Sequence, residues 1–453
     1  MANGPQEISN NTVLTAAQRD AHVDRMKAAW ANLPSETKAQ LTPLLEKAHQ
    51  QLGDFLDHRT PPTSDVDEIL RVKSYLTDDW DRHVERLDGI SPTQPRLDTA
   101  LATQAIKVSI APGGEILGTG RYQQLDPRWE LVAGTVWLEN LLHKHPFPPG
   151  MPKPVPIAEH VTIALLGDFG TGNFGANDSP STKISKFVPT LKPDITIHLG
   201  DVYYAGTGGE ETNNFLNFWP QGSFASFALN SNHEMYSGGG PYFNEAVGGK
   251  IFNKYQSPFS FFALENSNWI IVGLDSAYNA GVLTLYMDGS LGNDAQIPFL
   301  KGLAQKAETE NKKVIVLTHH NGLPEDGVQP KTPLKLFTEV MGAFEGLTPP
   351  AYWYWGHVHA AAAYKPLADQ NGLLCRCAGH AAIPWGVATT LQASQNVDWF
   401  EKCSANDPED NVRVFNGFAT LQLDGETLQE TFYDELGRVA WTPQGGDPRH
   451  CAP

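Results

Sequence analysis

VTIALLGDFG, residues 161–170, is a nearly unbroken apolar run that stops on a glycine and an aspartate. It is too short for a typical helix and rich in β-branched residues, so it reads as a strand buried on both faces, as parallel strands are. The same design recurs in DITIHLGD at 194–201, KKVIVLTHH at 312–320 and AYWYWGHVH at 351–359. Each run ends on a side chain that binds metals: Asp168, Asp201, His319 and His357. In open α/β sheets, ligands bind beyond the carboxyl ends of strands, where loops converge. Gly167, Gly200 and Gly356 let the backbone leave the sheet in a tight turn.

Working outward, TKISKFVPTL carries Ile184, Val188 and Leu191 at helical spacing, and QIPFLKGLAQKA is a second helix preceding KKVIVL. FASFAL and NWIIVGL add strands, and FATLQLDGETLQETFYDE reads as a hairpin turning at Asp424-Gly425. This mixture predicts an α/β protein of layered αββα type rather than a doubly wound sheet. Upstream, Val23, Met26, Trp30 and Leu33 follow Thr15 at helical spacing. Leu41, Leu44, Leu45, Leu52 and Phe55 mark a second stretch from Ser35, and Ile69, Val72 and Leu76 a third from Ser64. A short hairpin is expected around Pro112-Gly113-Gly114. HPFPPGMPKPVPI is a stiff proline-rich connector. The expected organisation is a mainly helical region 1–145, a linker 146–158 and a catalytic domain 159–445.

The chain holds 33 Lys and Arg against 51 Asp and Glu, a formal charge of −18. Such a surface repels nucleic-acid backbones and anionic lipids, so neither partner is expected. The N-terminal MANGPQEISNN shows no cationic or apolar leader, and no run is long enough to span a bilayer, so a cytoplasmic protein is expected. Cys375 and Cys377 lie two apart in a strand and point to one face, where they cannot easily pair. With Cys403 and Cys451 they are expected to be free thiols, as is usual inside cells.

Carboxylate, phenol, amide and imidazole at buried strand ends are the donor set of a two-metal hydrolytic centre. The ordered motifs are Gly167-Asp168-Phe169-Gly170, Gly200-Asp201-Val202-Tyr203-Tyr204, Ser231-Asn232-His233-Glu234, Val316-Leu317-Thr318-His319 and Gly356-His357-Val358-His359. Over residues 160 to about 360 this train resembles the calcineurin-like metallophosphoesterases, and within them the purple acid phosphatases. The resemblance implies a four-layer αββα metallophosphoesterase sandwich, here with an N-terminal helical region. It also implies that Asp201 bridges two ions. Asp168, Tyr204 and His359 complete a first site holding Fe³⁺, and Asn232, His319 and His357 a second holding Fe²⁺, Zn²⁺ or Mn²⁺. The donor chemistry agrees: an oxygen-rich pocket with a phenolate suits ferric iron, and an Asn/His/His pocket a softer divalent ion.

The implied activity is hydrolysis of a small phosphomonoester by a metal-activated hydroxide, with His233 protonating the leaving group or stabilising the transition-state charge. Glu234 is expected to orient that imidazole, and His320 to grip a phosphate oxygen. A phosphodiesterase acting, for example, on cyclic nucleotides is the alternative on the same fold, and a metal-stabilised scaffold without activity is a remote one. Tyr204 is preferred over Tyr203 because its offset of three from Asp201 matches the family pattern. His198, inside an apolar run, reads as a satisfied core histidine, and His380 as a secondary candidate for lining the pocket. The run Tyr352–Trp355 reads as alternating sheet packing. Ser231 stands where the family has glycine, so strain is expected there if the position requires positive φ.

Overall fold

Strand His160–Leu166, which contains the opening apolar run, lies inside a six-stranded mixed sheet. The order is Val439–Trp441, Thr427–Asp434, Gly417–Asp424, His160–Leu166, Ile195–His198, Ala225–Ala228. The last three run parallel, with Leu165 opposite Ile197 and Ile197 opposite Phe227. The expected hairpin forms in full register, from Gly417 opposite Asp434 to Asp424 opposite Thr427. These elements come from a computed structural model that describes residues 109–451 except 119, 125, 127, 293, 294 and 409, and also 21, 24, 25, 28–39 and 42.

A second, eight-stranded sheet has at its centre four parallel strands: Leu374–Ala378, Tyr352–Trp355, Lys313–Thr318 and Trp269–Leu274. The two sheets share one core. Ile163, Leu165, Ile197 and Phe227 from the first pack in the same buried cluster as Ile271, Ile315, Leu317 and Tyr354 from the second. Each such fully buried side chain contributes about 1.5–3 kcal/mol of transfer free energy. On its other face the eight-stranded sheet packs Val314, Val316, Trp353 and Trp355 against Phe299, Leu300 and Leu303 of helix Gln296–Glu310. The six-stranded sheet likewise packs Ala164, Leu166 and Phe418 against Ile184 of helix Pro180–Phe187. Trp353 and Trp355 therefore face one cluster and Tyr354 the other, which is the alternation read from the sequence.

The segment upstream of the sheets contributes to the same body. Ser109–Ile110 and Ile116–Leu117 form the short hairpin, and residues 129–140 are helical. Residues 28–32 and 35–39 are helical too. Trp30 and Leu33 pack with Val136, Trp137, Tyr203 and Tyr204, and Arg25 pairs with Glu139 at 2.5 Å. Val23, Met26, the stretch Leu41–Phe55 except Thr42, and the stretch from Ser64 to Leu76 lie outside the described residues. Within the proline-rich connector, Val155–Pro156 adds a parallel edge strand to the eight-stranded sheet, Val155 opposite Leu264.

The cysteines correct one expectation. Cys375 and Cys377 are free and buried, but Cys403 and Cys451 form a disulfide with Cα atoms 5.0 Å apart. Forty-eight residues separate them in sequence. Their proximity arises because the C-terminal turn folds back and seats His450 between Glu401 and Asp434, at 2.8 and 3.0 Å.

Candidate metal centre

The four sheet-end residues meet at one end of the paired sheets, and the backbone there is strained. Of eleven non-glycine residues with positive φ among those described, four are Asp168 (59°), Asp201 (81°), His357 (70°) and His359 (50°). Left-handed backbone disfavours side chains with a Cβ and persists where surrounding structure enforces it, commonly at functional sites. Gly200 shares that conformation, and a Cβ there would lie 2.7 Å from His319 Nδ1. At Gly379 a Cβ would stand 2.3 Å from Asp168 Oδ2. Gly379 keeps space clear beside a carboxylate oxygen of the cluster, and Gly200 beside the His319 ring.

The donor atoms converge on Asp201. Its Oδ1 lies 3.3 Å from His319 Nε2, while its Oδ2 lies 3.5 Å from His359 Nε2 and 4.0 Å from His233 Nε2. Asn232 Oδ1 is 2.9 Å and His357 Nδ1 3.2 Å from His319 Nε2. Asp168 Oδ1 accepts the His357 backbone N–H at 3.0 Å. His319 Nδ1 donates to the Leu199 carbonyl at 2.9 Å, which leaves the Nε2 lone pair free to ligate. Asn232 donates Nδ2–H to the Tyr236 hydroxyl at 3.1 Å, which fixes the amide with Oδ1 towards the cluster.

Electrostatics separate the two carboxylates. Burial raises the Asp168 carboxyl well above its ordinary range, and neighbouring Asp201 adds to this. Burial also opposes the charge on Asp201, but His319, His233 and His359 outweigh it and hold that carboxyl well below the usual range. Burial lowers His319 and His357, favouring the neutral imidazole that binds metals, and lowers His233 too, against the pull of Asp201 and the Tyr204 carbonyl. Asp168 Oδ2, Asp201 Oδ1 and His359 Nδ1 are buried with no hydrogen-bond partner. Orphaned carboxylate oxygens among neutral imidazoles are costly unless a cation satisfies them, so this donor set fits metal ions. Asp168, Asp201 and His319, and separately His319, His320 and His357, offer ligand atoms within 4.8 Å of one another.

Tyr204 is not brought to this cluster. Its hydroxyl donates to Asp126, and its ring stacks on Tyr122 at 4.7 Å. The phenol that faces the cluster is Tyr203, whose hydroxyl donates to Asp201 Oδ2 at 2.8 Å and lies 3.0 Å from His359 Nε2. His320 is buried with both ring nitrogens engaged, by Ser276 Oγ and the Tyr286 carbonyl, each at 2.8 Å. Burial pushes it down to about 3, so it stands as a neutral brace whose ring lies 4.6 Å from that of His357. Glu234 does not touch His233. It accepts the Asp201 backbone N–H at 3.2 Å and the Ser231 hydroxyl. His233 is instead oriented by donating Nδ1–H to the Tyr204 carbonyl at 2.7 Å.

Ser231 carries no left-handed strain. Its φ is −135°, and its hydroxyl caps helix Asn232–Tyr236 by accepting the His233 N–H at 3.0 Å. His198 is buried as expected, stacked 4.2 Å from Phe215, but neither ring nitrogen has a partner, and burial lowers it to about 3. His380 lines one cavity together with His359, Trp385, Glu401 and Asn416. Sequence reasoning missed Tyr203, Trp129 and Trp385. Trp129 lies 5.5 Å from the His233 ring, and Trp385 5.0 Å from the His359 ring. Neither sits in a motif, so only the tertiary contacts reveal them.

The calcineurin-like phosphoesterase family model matches residues 161–361. Among solved structures, a dimetal phosphatase from Danio rerio is 13 % identical, with 63 % of this chain and 98 % of that chain covered at a TM-score of 0.43. A purple acid phosphatase from yellow lupin seeds is 14 % identical over 64 % of this chain and 54 % of that chain, also at 0.43. A predicted phosphoesterase from Streptococcus pneumoniae is 13 % identical over 64 % and 97 %, at 0.25. No curated protein matches the chain.

Proposed function

We propose, from the calcineurin-like metallophosphoesterase core that residues 161–361 carry, that the protein is a dinuclear phosphohydrolase on a four-layer αββα scaffold. Its substrate is a phosphomonoester. Asp168, Asp201, His359 and a tyrosine would hold Fe³⁺, and Asp201, Asn232, His319 and His357 would hold Fe²⁺, Zn²⁺ or Mn²⁺. The observation that carries this reading is the convergence of strained, buried donors: Asp168 Oδ2 and Asp201 Oδ1 have no hydrogen-bond partner, and four expected ligands have positive φ. The tyrosine is Tyr203 rather than Tyr204, on the positions of their hydroxyls.

Two ions held by these residues would supply Lewis acidity and an acidified water for displacement at phosphorus. The chain's own residues do the rest. His233 faces the cluster through Nε2 because its Nδ1 is tied to the Tyr204 carbonyl; in its protonated form, which Asp201 and that carbonyl favour against burial, it is placed to hand the Nε2 proton to the leaving oxygen. Glu234 holds the Asp201 backbone N–H, and Ser231 holds that of His233, which keeps the Asp201 carboxylate and the proton donor in register.

A second reading, a phosphodiesterase, has one observation in its favour. A monoester carries more charge than a diester and needs more positive partners. Yet Arg128 is paired with Asp126 at 2.9 Å, and Arg121 lies against the rings of Tyr122 and Tyr204. The test is metal analysis with side-by-side kinetics on a monoester and a diester. Two equivalents of metal, and hydrolysis of the monoester that a chelator abolishes, are expected. A strong diester preference would promote the second reading, and fully loaded protein that cleaves neither ester would overturn both.

A further inference from the structure

The mouth of the cluster lies on its histidine side: His233 is 10 % and His359 12 % exposed and His357 is also partly exposed, against 0–1 % for Asp168, Asp201 and His319. His233 and His359 are each flanked by an indole. Trp129 approaches the His233 ring at 5.5 Å with the planes tilted by 57°, and Trp385 meets the His359 ring at 5.0 Å and 87°. Both indoles are fixed by hydrogen bonds to one upstream segment: Trp129 Nε1 donates to the Gln123 carbonyl and Trp385 Nε1 to the Gly113 carbonyl, each at 2.8 Å. Tyr236 lies 4.9 Å from His233, and the half-exposed Met287 touches Asn232 Nδ2 at 3.6 Å. The rim is therefore aromatic and apolar, and both tryptophans lie outside residues 161–361.

We propose that Trp129 and Trp385 are specificity-determining residues that select phosphate esters whose leaving group carries an aromatic ring. This rests on the reading of the cluster as a phosphoesterase centre. If His233 protonates the leaving oxygen, the leaving group departs through the mouth that the two indoles flank. Rigid aromatic faces there bind a flat apolar body by burial and by ring–ring contact, and discriminate against a small aliphatic one. The site that does the chemistry is thus built by the matched stretch, while selectivity comes from the segments around it.

The test compares benzyl phosphate with ethyl phosphate, whose leaving alcohols have similar intrinsic reactivity. It is run on metal-loaded wild-type protein and on Trp129→Ala, Trp385→Ala and Trp129→Phe. Wild type is expected to favour the benzyl ester by about tenfold or more in kcat/KM. The ratio should fall towards one in either alanine variant and be largely retained in Trp129→Phe. Equal kcat/KM for the two esters in wild type would overturn the selectivity while leaving the phosphoesterase reading intact. If neither ester is cleaved, competition between benzylphosphonate and methylphosphonate for the loaded protein still decides the matter. Tighter benzylphosphonate binding that is lost in Trp129→Ala supports the indoles as the selector, and equal binding overturns them.

Discussion

The Tyr203 hydroxyl lies 3.0 Å from His359 Nε2 and donates to Asp201 Oδ2 at 2.8 Å, so phenol, imidazole and carboxylate share one corner of the cluster. Tyr204, one residue on, faces Asp126. Adjacent tyrosines with opposite assignments give a spectroscopic test. Air-oxidised, iron-loaded protein should show a broad visible phenolate-to-iron band that disappears in Tyr203→Phe and persists in Tyr204→Phe. The reverse pattern would return the ligand to Tyr204.

His233 has its Nδ1 held by a backbone carbonyl and its Nε2 turned to the cluster. As a proton donor it matters only when the leaving oxygen is basic. His233→Gln should lower kcat for an alkyl phosphate by about 10²–10⁴-fold. The loss should be much smaller for 4-nitrophenyl phosphate, whose leaving group departs without a proton. Metal content, measured on the same samples, should match wild type. Equal losses on both substrates would remove the proton-donor role.

Ser231 caps helix Asn232–Tyr236 from an extended conformation, so its side chain stabilises the motif instead of straining it. Ser231→Ala should cost about 1 kcal/mol, and Ser231→Gly only a few tenths, by the usual cap ranking. Neither substitution should raise activity. A glycine variant that gains activity would show that the serine is a strained compromise after all; chemical denaturation and steady-state rates provide the two readouts.

His450 joins the C-terminal turn to the body of the protein. Burial opposes its charge, but Asp434 on one ring nitrogen and Glu401 on the other overcome this and raise it from 6.5 to about 9. A raised folded-state value means that the folded state binds the proton more tightly than the unfolded state does. The contribution is therefore complete below pH 6.5 and is lost as pH rises through about 9. Melting temperatures of wild type and His450→Ala should differ most near pH 6 and converge above pH 9. A gap that stays constant with pH would show that the imidazolium is not what holds the turn.

Much of this protein was legible in one dimension because the relevant signals are local. Apolar runs of strand length, each ended by Asp168, Asp201, His319 or His357, follow from period and position alone. So do the hairpin at Asp424-Gly425 and the alternation of Trp353, Tyr354 and Trp355. Asn232 and His359 could be named as candidate donors because short motifs carry them.

What only the tertiary structure decided depends on partners far away in sequence. Whether Tyr203 or Tyr204 faces the cluster turns on Asp126 and Tyr122, which take up the second phenol. The conformation of Ser231 turns on its capping role, and the pairing of Cys403 with Cys451 on the return of the C-terminal turn across 48 residues. Trp129 and Trp385 come from segments on either side of the motif train and are joined by contacts no local pattern encodes. The sequence by itself determined which chemical groups stand at the strand ends, because strand period and turn chemistry are local properties. Side-chain direction at the rim was set by long-range packing, which exists only once the chain has closed on itself.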